Sequence, residues 1–333
     1  MENLSDAIRI IPRKESSHMC LISYFSFKAV FGRKHPPLTS SPNRKKTAIS
    51  SAADYMMGPH YQEYQDYLNG LGKIADEYAF EKLTVRSDDG LLLAGHLYRI
   101  PENASNRTAV LVHGYGSNGL IAFHAVGREF IRRGYNIFLI DNRGCGESEG
   151  NWTAFGQREK DDLMVWIREL VRLFPDDRFV VHGNSLGGTA VCMASSNVFP
   201  EQVKALSEDC GFNSTVEQLT HICEMNHIPK FLVKTMEPWF RHYNHTGYSE
   251  HTALESVSAA TLPMFFAHGK EDRYVPCENA EKLYDACPTE KELIILDGRA
   301  HGQACMSEQT YYDPLFAFLD RFCGPAEASR IAG

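Results

Sequence analysis

Several features that would assign this 333-residue chain to a class of proteins are missing from its sequence. It contains no run of about 18 apolar residues, so we expect no membrane-spanning helix. Its nine cysteines are odd in number and irregularly spaced, without a Cys-x-x-Cys pair. That pattern favours a reducing compartment over a disulfide framework, and we therefore predict a cytoplasmic protein.

Signatures of cofactors are missing as well. The sequence has no P-loop, and no Gly-x-Gly-x-x-Gly follows its first predicted strand, so we predict no nucleotide cofactor. Histidines and a cysteine do gather in one stretch, but their spacing matches no usual zinc finger, and we predict no metal site. These residues are His221, Cys223, His227, His242 and His245.

Basic charge is scarce outside the N-terminus. The chain has a net charge of −8, although residues 1–50 contain nine lysines and arginines against three acidic residues. The rest of the chain therefore carries −14. Binding to a phosphate backbone requires a surplus of cations, so the acidic main part argues against a nucleic-acid partner.

Composition divides the chain into three parts. Residues 1–54 contain the stretch KHPPLTSSPNRKK and a Ser/Ala tract, and we predict that they form a disordered or loosely attached extension. A targeting peptide and a true start at Met56 or Met57 are the two alternatives. Residues 55–323 are predicted to form one α/β domain, and residues 324–333 a C-terminal tail.

Apolar strands alternate with helices through the main domain. Asp-Gly between FEKLTVRS and LLLAGHLYRI predicts a hairpin, and residues 159–174 have one apolar stripe at helical spacing. Further strands are predicted at 108–114, 135–141, 178–184, 203–209, 263–269 and 291–298, and further helices at 118–133 and 307–322. The alternation predicts an α/β fold with a mostly parallel sheet covered by helices on both faces. Residues 211–260 contain no predicted strand and are expected to form a small helical cap, where open parallel sheets bind ligands.

One serine lies in a pattern that is typical of nucleophiles. The stretch GNSLG places Ser185 between a predicted strand and a helix of small residues. A tight turn there would strain the backbone, raise the hydroxyl above the sheet and direct the N–H of Leu186 at an oxyanion. Taken alone, the pattern fits a glycine-rich helix start equally well.

A serine hydroxyl needs a base, and the base needs an acid that orients it. His301, in DGRAHGQA after a late strand, is the candidate base. Asp272, in HGKEDRYVP just past a buried strand, is the candidate acid. Asp209 at the end of the preceding strand is its rival, and Glu271 is a weaker one. Alone, a loop histidine or a turn aspartate would indicate nothing.

The order of these residues along the chain is more informative than any of them alone. Ser185, Asp272 and His301 follow each other at strand ends in the order found in the α/β-hydrolase fold. The loop after the third strand, VLVHGYGSNG, should then supply the second oxyanion donor. By position that donor is the N–H of Tyr115, whereas His113 is expected to be a buried structural histidine.

The sequence resembles the α/β-hydrolase superfamily over about residues 80 to 323. The matching stretches, in order, are HGYGS, DNRGCGESEG, GNSLGG, HGKEDRYVP and GRAHGQ. Within the superfamily the chain resembles a bacterial serine esterase and lipase branch, similar to cinnamoyl and feruloyl esterases. The resemblance implies a catalytic triad and two backbone oxyanion donors. These are Ser185 as nucleophile, His301 as base and Asp272 as acid, with Tyr115 and Leu186 as the donors.

These patterns predict a cofactor-free serine hydrolase that cleaves carboxylic esters. A short, aromatic-rich cap indicates small to medium acyl or aryl groups, so the expected partner is a small-molecule ester. A peptidase or amidase with the same triad, an acyltransferase and a non-catalytic binding scaffold are the alternatives. A scaffold usually lacks a triad residue, and none is missing here.

Overall fold

The computed structural model describes residues 21–33, 60–100 and 105–324. Its strands are β1 (Glu81–Arg86), β2 (Leu92–Tyr98), β3 (Arg107–Val112), β4 (Asn136–Ile140), β5 (Arg178–Asn184), β6 (Val203–Asp209), β7 (Met264–Gly269) and β8 (Lys291–Leu296). Its α-helices are α1 (Leu21–Phe31), α2 (Tyr61–Leu71), α3 (Ile74–Glu77), α4 (Gly119–Ala122), α5 (Val126–Arg132), α6 (Glu159–Leu173), α7 (Leu186–Ala194), α8 (Thr215–Met225), α9 (Phe231–Asn244), α10 (Ala253–Val257), α11 (Glu278–Ala286) and α12 (Glu308–Cys323). A 3-10 turn (Ala304–Ser307) precedes α12.

The strands form one mostly parallel sheet in the order β1-β2-β4-β3-β5-β6-β7-β8. Only the first two pairings, β1 with β2 and β2 with β4, are antiparallel. The parallel strands are joined by helices, because a parallel pair requires a long crossover connection. The predicted fold class is therefore confirmed.

Side chains alternate between the two faces of the sheet. In β3, Ala109 and Leu111 belong to the apolar cluster that includes α5 and α12. Val110 and Val112 belong to the opposite cluster, with α6 and α7. A parallel sheet covered on both faces needs apolar residues on both, which is why its strands read as nearly continuous apolar runs.

Most predicted elements coincide with observed ones within two residues, but one helix does not. The helix predicted over 118–133 is split into α4 and α5. Asn118 caps α4 by accepting the N–H of Ile121, and a Cβ on Gly119 would lie 2.9 Å from Cβ of Leu139. The helix then ends at Phe123, whose φ of −112° and ψ of 27° leave the helical range.

Residues 211–260 are helical, as predicted, and contain α8, α9 and α10. Trp239 and Phe240 of α9 are buried in a third apolar cluster, which also contains Leu186 at the start of α7. The cap therefore packs over the carboxyl ends of the strands. Over the described ranges, none of the helices combines the length and the hydropathy needed to cross a membrane.

Helix α1 differs from the loose attachment predicted for residues 1–54. Phe27 and Phe31 are fully buried against the cap, and Trp239 Nε1 donates to Ser23 Oγ at 3.0 Å. For residues 21–33 the prediction is wrong, because the apolar residues of α1 form no single stripe and its packing partner lies two hundred residues further along the chain. The remainder of that extension, and the tail beyond Gly324, lie outside the described residues.

Candidate active site

Ser185 occupies the turn between β5 and α7 in a strained conformation. Its φ of 54° and ψ of −119° fall where residues with a side chain are rarely found. The flanking glycines are sterically required: a Cβ on Gly187 would lie 1.9 Å from the carbonyl oxygen of Val112. A Cβ on Gly183 would lie 2.3 Å from the carbonyl oxygen of Gly187. The Gly-x-Ser-x-Gly pattern therefore reflects the packing of this turn.

Three strand ends bring Ser185, His301 and Asp272 together. Ser185 Oγ lies 2.8 Å from His301 Nε2, and His301 Nδ1 lies 2.7 Å from Asp272 Oδ2. All three residues are buried, with Ser185 the most exposed at 8%. The hydroxyl, the imidazole and the carboxylate thus form one continuous hydrogen-bonded chain, in which each group can polarise the next.

Asp272 is held in place from both of its carboxylate oxygens. Oδ1 accepts the backbone N–H groups of Tyr274 at 2.9 Å and Val275 at 2.8 Å. Burial raises the pKa of Asp272, but the neighbouring His301 and His268 outweigh it and hold that pKa below its usual range. The group is therefore an anion at neutral pH, as the acid of a triad must be.

The two rival acids have other contacts. Asp209 Oδ2 accepts from Asn184 Nδ2 at 3.2 Å, and the Asp209 carbonyl accepts the N–H of Ser185 at 2.7 Å. Burial raises the pKa of Asp209 to about 6. Glu271 is exposed. The carboxylate that meets the imidazole of His301 is that of Asp272.

Both predicted oxyanion donors lie beside Ser185. Leu186 is the first residue of α7, so its N–H has no acceptor within the helix. Tyr115 follows β3 in a loop that passes the serine closely, since a Cβ on Gly114 would lie 3.2 Å from Ser185 Cβ. The two residues predicted as oxyanion donors thus belong to segments that adjoin Ser185.

His113 and Cys145 are structural. His113 is fully buried, its Nε2 accepts the N–H of Asn142 at 3.0 Å, and its Nδ1 then donates to the Gly114 carbonyl at 2.7 Å. Burial lowers the pKa of His113, which keeps this imidazole neutral and the loop fixed. Burial also raises the pKa of Cys145 to about 12, so its thiol is unreactive at neutral pH.

Two buried titratable residues in the strands that lead to this site were missed by the sequence analysis. His268 Nε2 lies 3.2 Å from Asp272 Oδ2 and 2.8 Å from the Val275 carbonyl. Glu208 is fully buried, accepts the N–H of Gly211 at 2.7 Å, and has its pKa raised to about 8 by burial. The sequence signal that could have found them is a titratable residue within a strand that is predicted to be buried. These residues are His268 in MFFAHG and Glu208 in VKALSED.

A glycine pattern after β3 has the spacing of a dinucleotide-binding loop. Gly114, Gly116 and Gly119 read Gly-x-Gly-x-x-Gly. Gly114 faces Ser185, however, and the N–H of Gly119 donates to the carboxylate of Asp141 at 2.9 Å. An anionic side chain occupies the position where such a loop would hold a pyrophosphate. The glycines here serve close packing.

One group of side chains has the donor types of a metal site. Ligand atoms of Cys210, Asp272 and His301 lie within 4.8 Å of one another. Burial raises the pKa of the Cys210 thiol well above its usual range, and the other two groups are bonded to each other. We therefore interpret this group as a protonated thiol beside the triad. The histidines and the cysteine considered in the cap are not part of it.

Comparison with known proteins agrees with the fold. The family model of the alpha/beta hydrolase fold matches residues 109–221. The uncharacterised protein YqkD of Bacillus subtilis is 25% identical over 229 residues, which cover 67% of this chain and 74% of YqkD. The uncharacterised protein YfhR of Escherichia coli K12 is 26% identical over 230 residues, which cover 68% of this chain and 75% of YfhR.

Solved structures share the fold. An esterase of Pyrococcus furiosus, Pf2001, superposes with a TM-score of 0.60 at 21% identity, covering 74% of this chain and 93% of the esterase. At that identity the likeness shows the fold alone. With the family match over residues 109–221 and the sheet order, it shows that this chain has the fold of the α/β hydrolases.

Proposed function

We propose that this protein is a serine hydrolase that cleaves carboxylic esters through an acyl-enzyme. The observation that carries the proposal is the hydrogen-bonded chain from Ser185 through His301 to Asp272, which begins at a strained, glycine-flanked turn. A serine hydroxyl is a weak nucleophile, and this arrangement supplies the base and the orienting anion that it needs.

The reaction proceeds in two similar halves. Ser185 Oγ attacks the acyl carbonyl while His301 Nε2 takes its proton, and Asp272 stabilises the imidazolium. The N–H groups of Tyr115 and Leu186 hold the negative oxygen of the tetrahedral intermediate. His301 then protonates the leaving alcohol, and a water molecule releases the acyl group by the same route.

Aromatic and aliphatic side chains favour small to medium acyl or aryl substrates. Tyr115, Phe155, Phe212 and Leu186 belong to one apolar cluster that begins beside the nucleophile. Tyr274 packs edge-on against the His301 ring at 5.0 Å. Such a lining fits a compact apolar group better than a charged or peptide-like one. The narrower similarity to cinnamoyl and feruloyl esterases stays a prediction.

A cytoplasmic location belongs to the same proposal. Each of the eight cysteines in the described ranges is a free thiol. Unpaired thiols suit a reducing compartment.

The test compares hydrolysis of p-nitrophenyl acetate and butyrate by the wild type and by Ser185→Ala. We expect the variant to lose at least about 10³-fold in kcat/KM, because the nucleophile is removed while the fold is kept. Ser195→Ala is the matched control, since Ser195 is buried at the other end of α7. A folded but inactive wild type would exclude the esterase and favour peptide or amide substrates, and failure there would leave a binding scaffold.

A further inference from the structure

The end of the N-terminal helix is fastened to the loop that follows β4. The guanidinium of Arg33 donates to three carbonyl oxygens, those of Gly146 at 2.8 Å, Ser148 at 2.9 Å and Gly150 at 3.0 Å. Its backbone N–H donates to Asn151 at 2.7 Å. One arginine thus holds the chain against a loop more than a hundred residues away.

A second set of contacts joins this helix to the oxyanion loop. The hydroxyl of Tyr115 donates to the carbonyl of Val30. That carbonyl lies in the last turn of α1. Carbonyl groups there find no N–H donor within the helix and need a donor from outside it. The Tyr115 ring packs on Phe155 at 5.3 Å between centroids, and Phe155 packs on Phe31 at 5.0 Å.

These contacts converge on Tyr115, which directly follows the glycine that packs against the nucleophile. The loop that carries Tyr115 passes within 3.2 Å of Ser185 Cβ, measured from a Cβ placed on Gly114. Burial raises the pKa of the Tyr115 hydroxyl, so it stays a donor over the working pH range. Oxyanion donors lose their effect when they move by a fraction of an ångström, because their strength depends on being already in place.

We propose that residues 30–33 are a part of the active site, and that they position the Tyr115 N–H in the oxyanion hole. Val30 accepts the Tyr115 hydroxyl, Phe31 supports the ring through Phe155, and Arg33 anchors the segment to the loop after β4. Tyr115 is then tethered at its side chain while its N–H binds the oxyanion. This inference rests on the proposed ester hydrolysis. It assigns a role to residues 30–33, which lie outside residues 109–221, the range that the family model matches.

The tether is tested with Tyr115→Phe, Arg33→Met and the double variant in the full-length chain. Each single change should lower kcat about tenfold and leave KM within about twofold. The reason is that a displaced donor stabilises the transition state less and leaves binding of the substrate unchanged. Because both changes release the same tether, the double variant should be no slower than the slower single variant. Tyr248→Phe is the matched control, because the Tyr248 hydroxyl donates to the Val233 carbonyl within the cap.

Two results would overturn the inference. One is an unchanged kcat in Tyr115→Phe beside an active wild type, and the other is a double variant whose losses multiply. Hydrogen exchange over residues 113–118 gives a readout that does not need activity, and we expect faster exchange in Arg33→Met than in Tyr248→Phe. An inactive wild type with that exchange difference would reject the esterase and keep the tether, whereas equal exchange would reject the tether itself.

Discussion

The pKa of a carboxyl group in this site depends on which side chains surround it. Asp209 and Asp272 are both buried carboxyls at neighbouring strand ends, yet burial raises the pKa of the first while two histidines lower that of the second. Burial disfavours the charged form, and an adjacent imidazole favours it. Position next to His301 therefore decides which carboxylate can act as the acid.

The choice between the two acids can be tested directly. Asp272→Asn should lower kcat by about 10³- to 10⁴-fold, because an amide leaves the imidazole in the wrong tautomer and does not stabilise its cation. Asp209→Asn should cost less than about tenfold, since its side chain meets Asn184 and not the imidazole. Steady-state kinetics on p-nitrophenyl butyrate would measure both, and a larger loss in Asp209→Asn would reverse the assignment.

Glu208 makes stability depend on pH. Burial raises its pKa to about 8, so the native state keeps a proton that the unfolded chain releases above its ordinary carboxyl pKa of about 4.3. The free energy of unfolding should therefore fall as pH rises between those values, by at most about 1.4 kcal/mol per pH unit. Glu208→Gln keeps an acceptor for the Gly211 N–H and removes this dependence.

Urea unfolding of the wild type and Glu208→Gln at pH 5, 6.5 and 8 measures the difference. The variant should gain stability relative to the wild type at each step upward in pH. Glu201→Gln is the control, because Glu201 is exposed and its replacement should leave the curve unchanged. Parallel curves for the wild type and Glu208→Gln would show that Glu208 is ionised in the folded protein.

At the scale of elements, a buried arginine joins three parts of the chain. Arg143, after β4, pairs with Asp162 in the first turn of α6 at 2.7 Å and with Asp89 in the β1–β2 hairpin at 2.8 Å. Arg143 and Asp162 each have side chains 4% exposed. A buried pair of this kind costs more to break than it contributes when formed, because removing one partner leaves an uncompensated charge.

Arg143→Met should therefore lower the free energy of unfolding by about 3 to 5 kcal/mol. Arg172→Met is the matched control, since Arg172 and Glu169 form an exposed pair one turn apart on the same helix. The control should leave the free energy of unfolding nearly unchanged, because exposed ion pairs contribute little. Urea denaturation measures both, and equal losses would show that the Arg143 contacts are no stronger than surface pairs.

At the scale of the molecule, three apolar clusters hold the described residues together. Two lie on the faces of the sheet, and the third joins the cap to α1 across the carboxyl edge. Leu186 of this third cluster directly follows Ser185, which is 8% exposed. The N-terminal helix therefore belongs to the body of the protein and not to an appendage.

Paired substitutions in α1 test that conclusion. Phe27→Ala removes a fully buried ring that stacks on Tyr243, and should lower the free energy of unfolding by about 3 kcal/mol. Phe25→Ala removes a ring that is 54% exposed, and should change the free energy of unfolding by less than about 0.5 kcal/mol. Unfolding midpoints in urea measure both, and a neutral Phe27→Ala would mean that α1 adds nothing to the fold.

The sequence alone determined the sheet and the order of the site residues. Strands of this sheet are apolar on both faces, so they could be found as short apolar runs, and the stripe of α6 marked its buried side. Ser185, Asp272 and His301 stand out because a strained turn and two strand-end loops need particular residues at particular places. These requirements are local, so they can be predicted from the residues at those positions.

Only the tertiary structure showed the contacts between residues that are far apart in the chain. It placed Asp272, and not Asp209, against the imidazole of His301, it placed His268 beside Asp272, and it packed α1 against the cap. Nothing near these residues in the sequence indicates their partners, because each partner comes from another part of the chain. The apolar residues of α1 are spread around the helix and mark no preferred face, so only the surface that α9 offers determines which side of α1 is buried.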